Sequence, residues 1–158
     1  MGERTVYPSG TFSWADLGTT DFAGAKTFYK ELFGWKLEDM PTAGEGFVYS
    51  MARLDGKYVA AIYEQMEEQR AQGVPPNWLS YITVDDLEAR TAEAERLGAG
   101  VLSPPFDVLD SGRMSLVSDP TGAVFSMWQP GNHIGAQLVN GGRGYDHERA
   151  GYPECPGG

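Results

Sequence analysis

The chain has 158 residues, 41% of them hydrophobic and 22% charged, a globular composition that suits one domain or two small modules sharing a core. Its 12 Lys and Arg stand against 22 Asp and Glu, a formal charge of −10 that repels phosphate backbones and anionic lipid and argues against nucleic-acid and membrane partners. No run approaches the roughly 20 apolar residues a membrane helix needs. The start MGERTVYPSG has no apolar signal core, and the single Cys155 allows neither an internal disulfide nor a multi-cysteine zinc motif, so the expected location is the cytoplasm.

Taken in order, TFSWADLG (11–18) reads as a strand leading into Asp21, whose carboxylate fits a helix N-cap. Phe22, Ala25, Tyr29, Leu32 and Phe33 recur at helical spacing, and Gly34 supplies the left-handed stop. Three strand-like runs follow, GWKLEDM (34–40), GFVYSMARL (46–54) and KYVAAIYE (57–64), the last two joined by Asp55-Gly56, a strong hairpin signal. The polar stretch EQMEEQRAQGVPPN (64–77) reads as an exposed connection.

The series then repeats. WLSYITV (78–84) is a strand, Asp86 a cap, LEARTAEAERL (87–97) a helix and Gly98 its stop. GVLSPPFDV (100–108), RMSLVS (113–118) and AVFSMWQ (123–129) are three more strands, the last pair joined by DPTG (119–122). Asp21 to Asp86 is 65 positions, Gly34 to Gly98 is 64, and Gly56 to Gly122 is 66. Such agreement predicts a duplicated βαβββ unit: an α+β fold with modules at 11–64 and 78–130, a linker at 65–77, and an extension at 131–158. From about 141 the extension is rich in Gly and Pro and is expected to be disordered.

Each helix should cover one face of its sheet and leave the other face concave, lining a cavity. Strand alternation then puts Ala15 and Leu17 under the first helix, with Phe12, Trp14 and Asp16 toward the cavity. In the second half Ser80, Ile82 and Val84 pack on the helix, and Leu79, Tyr81 and Thr83 face inward. A one-residue slip would exchange these sets.

The passages FSWADLGTTDFAGAKTFYKELFGW (12–35), ARLDGKYVAAIY (52–63), YITVDDLEA (81–89) and SDPTGAVFSMWQP (118–130) resemble the glyoxalase/bleomycin-resistance/extradiol-dioxygenase (vicinal oxygen chelate) superfamily. More narrowly they resemble its actinobacterial branch labelled "hydroxylase" or "antigen". The resemblance covers residues 11 to about 139 and implies two modules forming a curved sheet around a cavity. Catalytic members carry metal ligands on the first and last strands of each half, usually His or Gln and then Glu. The matching positions here are Trp14, Ala60, Leu79 and Ser126, none a competent ligand beyond a weak hydroxyl. The only histidines, His133 and His147, lie beyond the last strand. The departure implies a metal-free site with no cofactor. Relatives in this branch often continue into a second copy of the domain, whose surface a homodimer of this chain could restore.

Asp16 stands out, because a carboxylate inside an aromatic-lined cavity needs a partner or a shifted pKa. It could be a general acid/base or an anchor for a cationic or hydroxyl-bearing ligand. It could equally be satisfied by neighbouring backbone or by Arg53. Trp14, Tyr49, Tyr58, Trp78, Tyr81 and Trp128 would suit a planar ligand, or serve as core or dimer contacts. Arg53 and Arg113 could fork onto a carboxylate or phosphate, or pair with acidic neighbours. His133 could fold over the cavity or lie on the surface. The expected ligand-binding set is therefore Phe12, Trp14, Asp16, Tyr49, Arg53, Ala60, Leu79, Tyr81, Arg113, Ser126 and Trp128. The leading expectation is a metal-free binder of an aromatic or apolar metabolite. The alternatives are a metal-independent isomerase-like or hydroxylase-like enzyme using Asp16, and a structural dimer whose own side chains fill the cavity.

Overall fold

The computed structural model describes residues 2–42 and 46–140. The tail from 141, with Cys155 and His147, lies outside the described residues. In chain order the elements are β1 (Phe12–Thr19), α1 (Phe22–Phe33), β2 (Lys36–Pro41), β3 (Val48–Leu54), β4 (Lys57–Glu64), α2 (Glu67–Ala71), β5 (Asn77–Thr83), α3 (Leu87–Arg96), β6 (Gly100–Val108), β7 (Gly112–Ser118) and β8 (Val124–Pro130). They build one eight-stranded sheet in the order β2-β3-β4-β1-β5-β8-β7-β6. The duplicated βαβββ unit is thus realised, and its halves meet where β1 pairs antiparallel with β5.

The local signals act as their chemistry requires. Asp21 accepts a hydrogen bond from the Gly24 amide at 2.9 Å, and Asp86 accepts one from Ala89 at 3.0 Å, capping α1 and α3. Gly34 ends α1 at φ 70°. Asp55 and Gly56 both have positive φ, 50° and 76°, the twist a two-residue hairpin needs to follow its strands. The connection after β4 differs from the expected open linker: it contains the single turn α2, whose start is fixed by Gln69 Oε1 accepting from the Met66 amide.

Behind the second half of the sheet, Val84, Leu87, Val117 and Met127 form a buried cluster with α3. On the concave side lies a separate cluster of Trp14, Met51, Ala61, Tyr81, Trp128 and Ala136. The second cluster positions the site.

Candidate functional site

Directly opposite residues on neighbouring strands share a face of the sheet. Across the central seam Trp14 lies opposite Tyr81 and Asp16 opposite Leu79. Asp16 also neighbours Ala61, which lies opposite Met51. Tyr81 neighbours Ser126, and Trp128 lies opposite Met114. The concave face is therefore aromatic and thioether-rich around a single carboxylate.

Asp16 is only 2% exposed. Its Oδ2 accepts hydrogen bonds from the Tyr81 hydroxyl at 2.7 Å and the Tyr49 hydroxyl at 2.8 Å. Tyr49 in turn accepts from Trp14 Nε1 at 2.9 Å. The other carboxylate oxygen, Oδ1, is buried without a partner among the described residues. Burial raises the Asp16 pKa to about 6, against the lowering effect of the two phenols. The same burial and the nearby carboxylate push both tyrosine hydroxyls well above their usual range, so they remain donors. Asp16 Oδ2 is thus satisfied by neither backbone nor Arg53, but by two tyrosines from opposite halves. One signal was present in the sequence: Tyr81 lies 65 positions after Asp16, the offset of the two caps.

Trp14, Asp16, Tyr49, Leu79, Tyr81, Ser126 and Trp128 come together as expected. Four others do not. A register shift between Phe12 and Trp14 sets Phe12 opposite Ile82, on the helix-side face, where it is 68% exposed. On the regular part of the β3–β4 pair Ala60 lies opposite Ala52, and the neighbouring Ala61, opposite Met51, is the inward residue. Arg113 points to the helix side, paired with Asp107 at 2.7 Å and with Glu88 of α3. Arg53 offers no free fork to a ligand and instead covers Tyr58. It pairs with Glu38 at 3.1 Å, donates to the Tyr58 hydroxyl at 2.6 Å, and lies 4.3 Å from the centre of that ring. Trp78 also faces away, donating to the Tyr29 hydroxyl beside α1.

No sequence signal marks the segment after β8 as a seam. β1 and β4 pair in parallel only from Asp16 and Ala61 onward. Before that point the strands part, and residues 131–140 fill the gap as a strap. Ala136 donates to the Ser13 carbonyl at 2.7 Å, and Gln137 donates to the Tyr58 carbonyl at 2.7 Å while its side chain accepts from the Tyr58 amide at 2.9 Å. The strap so supplies partners for backbone groups that the parting leaves bare. Gly135 packs so close to Ser13 that a Cβ would clash with its backbone. The chain start pairs onto the strap, with Arg4 donating to Gln137 and Val139 to Gly2. His133 does fold over the concave face: its ring meets Trp14 edge-on at 4.5 Å, and its carbonyl accepts from Trp128 Nε1 at 2.9 Å.

The site can bind and orient a molecule, and it can hold or move one proton at Asp16. It is poorly suited to a divalent cation. Of the four positions matching the family's ligands, Trp14 and Leu79 have no metal-binding atom, and the inward β4 residue is Ala61. Ser126 spends its hydroxyl on the Ser115 carbonyl. Among the described residues no three of His, Cys, Asp or Glu are grouped to hold an ion.

The architecture and its concave face define a class: a duplicated βαβββ protein whose one curved sheet presents an aromatic concave face. A family model of the Glyoxalase/Bleomycin resistance protein/Dioxygenase superfamily matches residues 11–127, and the chain belongs to that superfamily. It is 49% identical over 140 residues to "Putative glyoxylase CFP32" of Mycobacterium tuberculosis, covering 89% of this chain and 53% of that protein. It is 35% identical over 145 residues to "Anthracycline biosynthesis protein DnrV" of Streptomyces peucetius, covering 85% of this chain and 52% of that one. The chain therefore spans about half the length of these curated relatives. A hypothetical protein, BH1468, of Bacillus halodurans shares the fold with TM-score 0.61 at 14% identity, over 77% of this chain and 95% of that one. Methylmalonyl-CoA epimerase of Mycobacterium tuberculosis shares it with TM-score 0.57 at 14% identity, over 80% and 91%.

Proposed function

We propose that the chain binds a small planar aromatic or apolar metabolite on its concave face without a metal or other cofactor, in the cytoplasm. The observation that carries this reading is the aromatic wall of Trp14, Tyr49, Tyr81 and Trp128 around one buried carboxyl, with no donor set for a cation among the described residues. Such walls recognise flat molecules by stacking, and Asp16 would orient a hydroxyl-bearing one. The relative named for anthracycline biosynthesis points toward polycyclic aromatics as the chemical class. The test is equilibrium binding of a panel of planar aromatics, read through tryptophan emission. Trp14→Ala is expected to lose the binders that wild type retains. A broad panel with no binder would count heavily against the reading.

A metal-independent isomerase is the second reading, favoured by the Asp16 carboxyl being pushed up to about 6. The carboxylate form of Asp16 can take a proton from carbon beside a carbonyl and, once protonated, return it, while Tyr49 and Tyr81 hold it in place by donating to Oδ2. Asp16→Asn should then abolish turnover and leave affinity nearly intact. Equal loss of both returns the site to a binding role.

We also infer a homodimer. Among the described residues α1 buries none of its side chains, and Phe28, Leu32 and Phe33 are each more than half exposed. A second copy of this chain packed on that face would cover it.

A further inference from the structure

His133 sits in the space a ligand ring would take. Three rings surround its imidazole: Trp14 at 4.5 Å, Trp128 at 6.0 Å and Tyr58 at 6.2 Å, all near edge-on. Among the described residues nothing polar holds it there. Its Nε2 is buried without a partner among the described residues, an arrangement that costs free energy unless something compensates. The backbone on either side is fixed independently, since His133 donates its amide to Ser111 and Ala136 donates to Ser13. The ring can therefore turn out on its own bonds while the strap stays in place.

Space for that turn adjoins it. A pocket of about 270 Å³ is lined by Arg4, Thr5, Tyr58, His133, Gly135 and Gln137, among others. We propose that the cage of Trp14, Tyr58 and Trp128 is the ring-binding subsite of the ligand, and that His133 is a side-chain gate filling it until the ligand arrives. The inference rests on the aromatic-ligand reading above and narrows it to one class: a flat, uncharged ring bearing oxygen substituents. Arg53 already covers Tyr58 as a cation, and Arg4 lies in the adjoining pocket, so a cationic ring would meet like charge. The Arg4 guanidinium and the Thr5 hydroxyl are donors suited to a phenol or quinone oxygen.

The experiment titrates 1,4-dihydroxyanthraquinone, and 9-aminoacridine as a flat cation, into wild type, His133→Ala and His133→Phe, following tryptophan emission. Circular dichroism checks that each variant is folded. With the gate removed, the quinone should bind about tenfold tighter or better, because the cage no longer has to be vacated. His133→Phe, which fills the cage with a purely apolar ring, should bind it more weakly than wild type, and the acridine should bind less well than the quinone throughout. Free imidazole is the independent arm: it should stabilise His133→Ala saturably against heat and leave wild type unmoved.

If the quinone binds wild type and His133→Ala equally, the gate is overturned while the aromatic-ligand reading stands. If the acridine binds as well as the quinone, the uncharged class is overturned. If neither dye binds any variant, the aromatic-ligand reading fails. The imidazole arm then decides the cage: stabilisation of His133→Ala supports a ring subsite, and its lack overturns it.

Discussion

The two halves share caps, turns and strand order, yet differ at their equivalent positions in what they present. At an offset of 65, Asp16 of β1 corresponds to Tyr81 of β5, and Tyr49 of β3 to Met114 of β7. The central hydrogen bond thus joins a residue to its own counterpart across the seam, and only the first half supplies the charge. The helices differ in the same way. Phe28 on α1 corresponds to Glu93 on α3, which is half-buried and paired with Arg96 at 2.6 Å. Duplication repeats what the backbone needs and leaves the side chains free to diverge, so the differences mark where one half has taken on a task the other lacks.

The sharpest way to break the comparison is through pH. Asp16 has a raised folded pKa, so its contribution to stability is present below about 4 and is lost as pH rises through about 6. His133 is the reverse: burial lowers its pKa from 6.5 to about 4, so its contribution is present above 6.5 and is lost as pH falls toward 4. Each amounts to about 3 kcal/mol, and the two oppose one another between pH 4 and 6. Wild-type stability from urea melts should therefore be nearly flat in that window. Asp16→Asn should leave a curve that rises with pH, and His133→Ala one that falls. Parallel curves for the two variants would contradict the assignment.

Giving α1 the residue that α3 carries is next in size. Phe28→Glu should weaken the dimer by on the order of 2 kcal/mol, roughly thirtyfold in its dissociation constant, read by sedimentation equilibrium. A monomeric wild type at every concentration would remove the interface. The smallest effect is expected at Arg113. Its partners Asp107 and Glu88 lie on the solvated helix side, so Arg113→Ala should leave ligand binding unchanged. Arg53→Ala, which uncovers Tyr58, should weaken binding measurably.

Much of this was legible in the sequence because the fold is written in local chemistry. Asp21, Asp86, Gly34 and Asp55-Gly56 each fix a backbone conformation on their own, and their spacing exposed the repeat. The inward set followed by alternation wherever strands stay regular, as at Asp16, Tyr81 and Trp128. It failed at Phe12, because an extra residue in a strand shifts the period of two without any residue type that announces it; Ala60, placed by the family resemblance, is one position off the inward Ala61. Both failures adjoin the place where β1 and β4 part and the strap enters. Arg113 was misplaced for a different reason: its direction depends on Asp107, its partner across the β6–β7 hairpin, and on Glu88 of α3, which comes beside it only once the helix has packed on the sheet.

The most direct measurement is a calorimetric titration of 1,4-dihydroxyanthraquinone into purified protein, with and without a strong chelator, and after adding back divalent zinc, nickel or manganese. The account predicts the same affinity and heat in every case. Binding that vanishes with chelator and returns with one of the metals would contradict it.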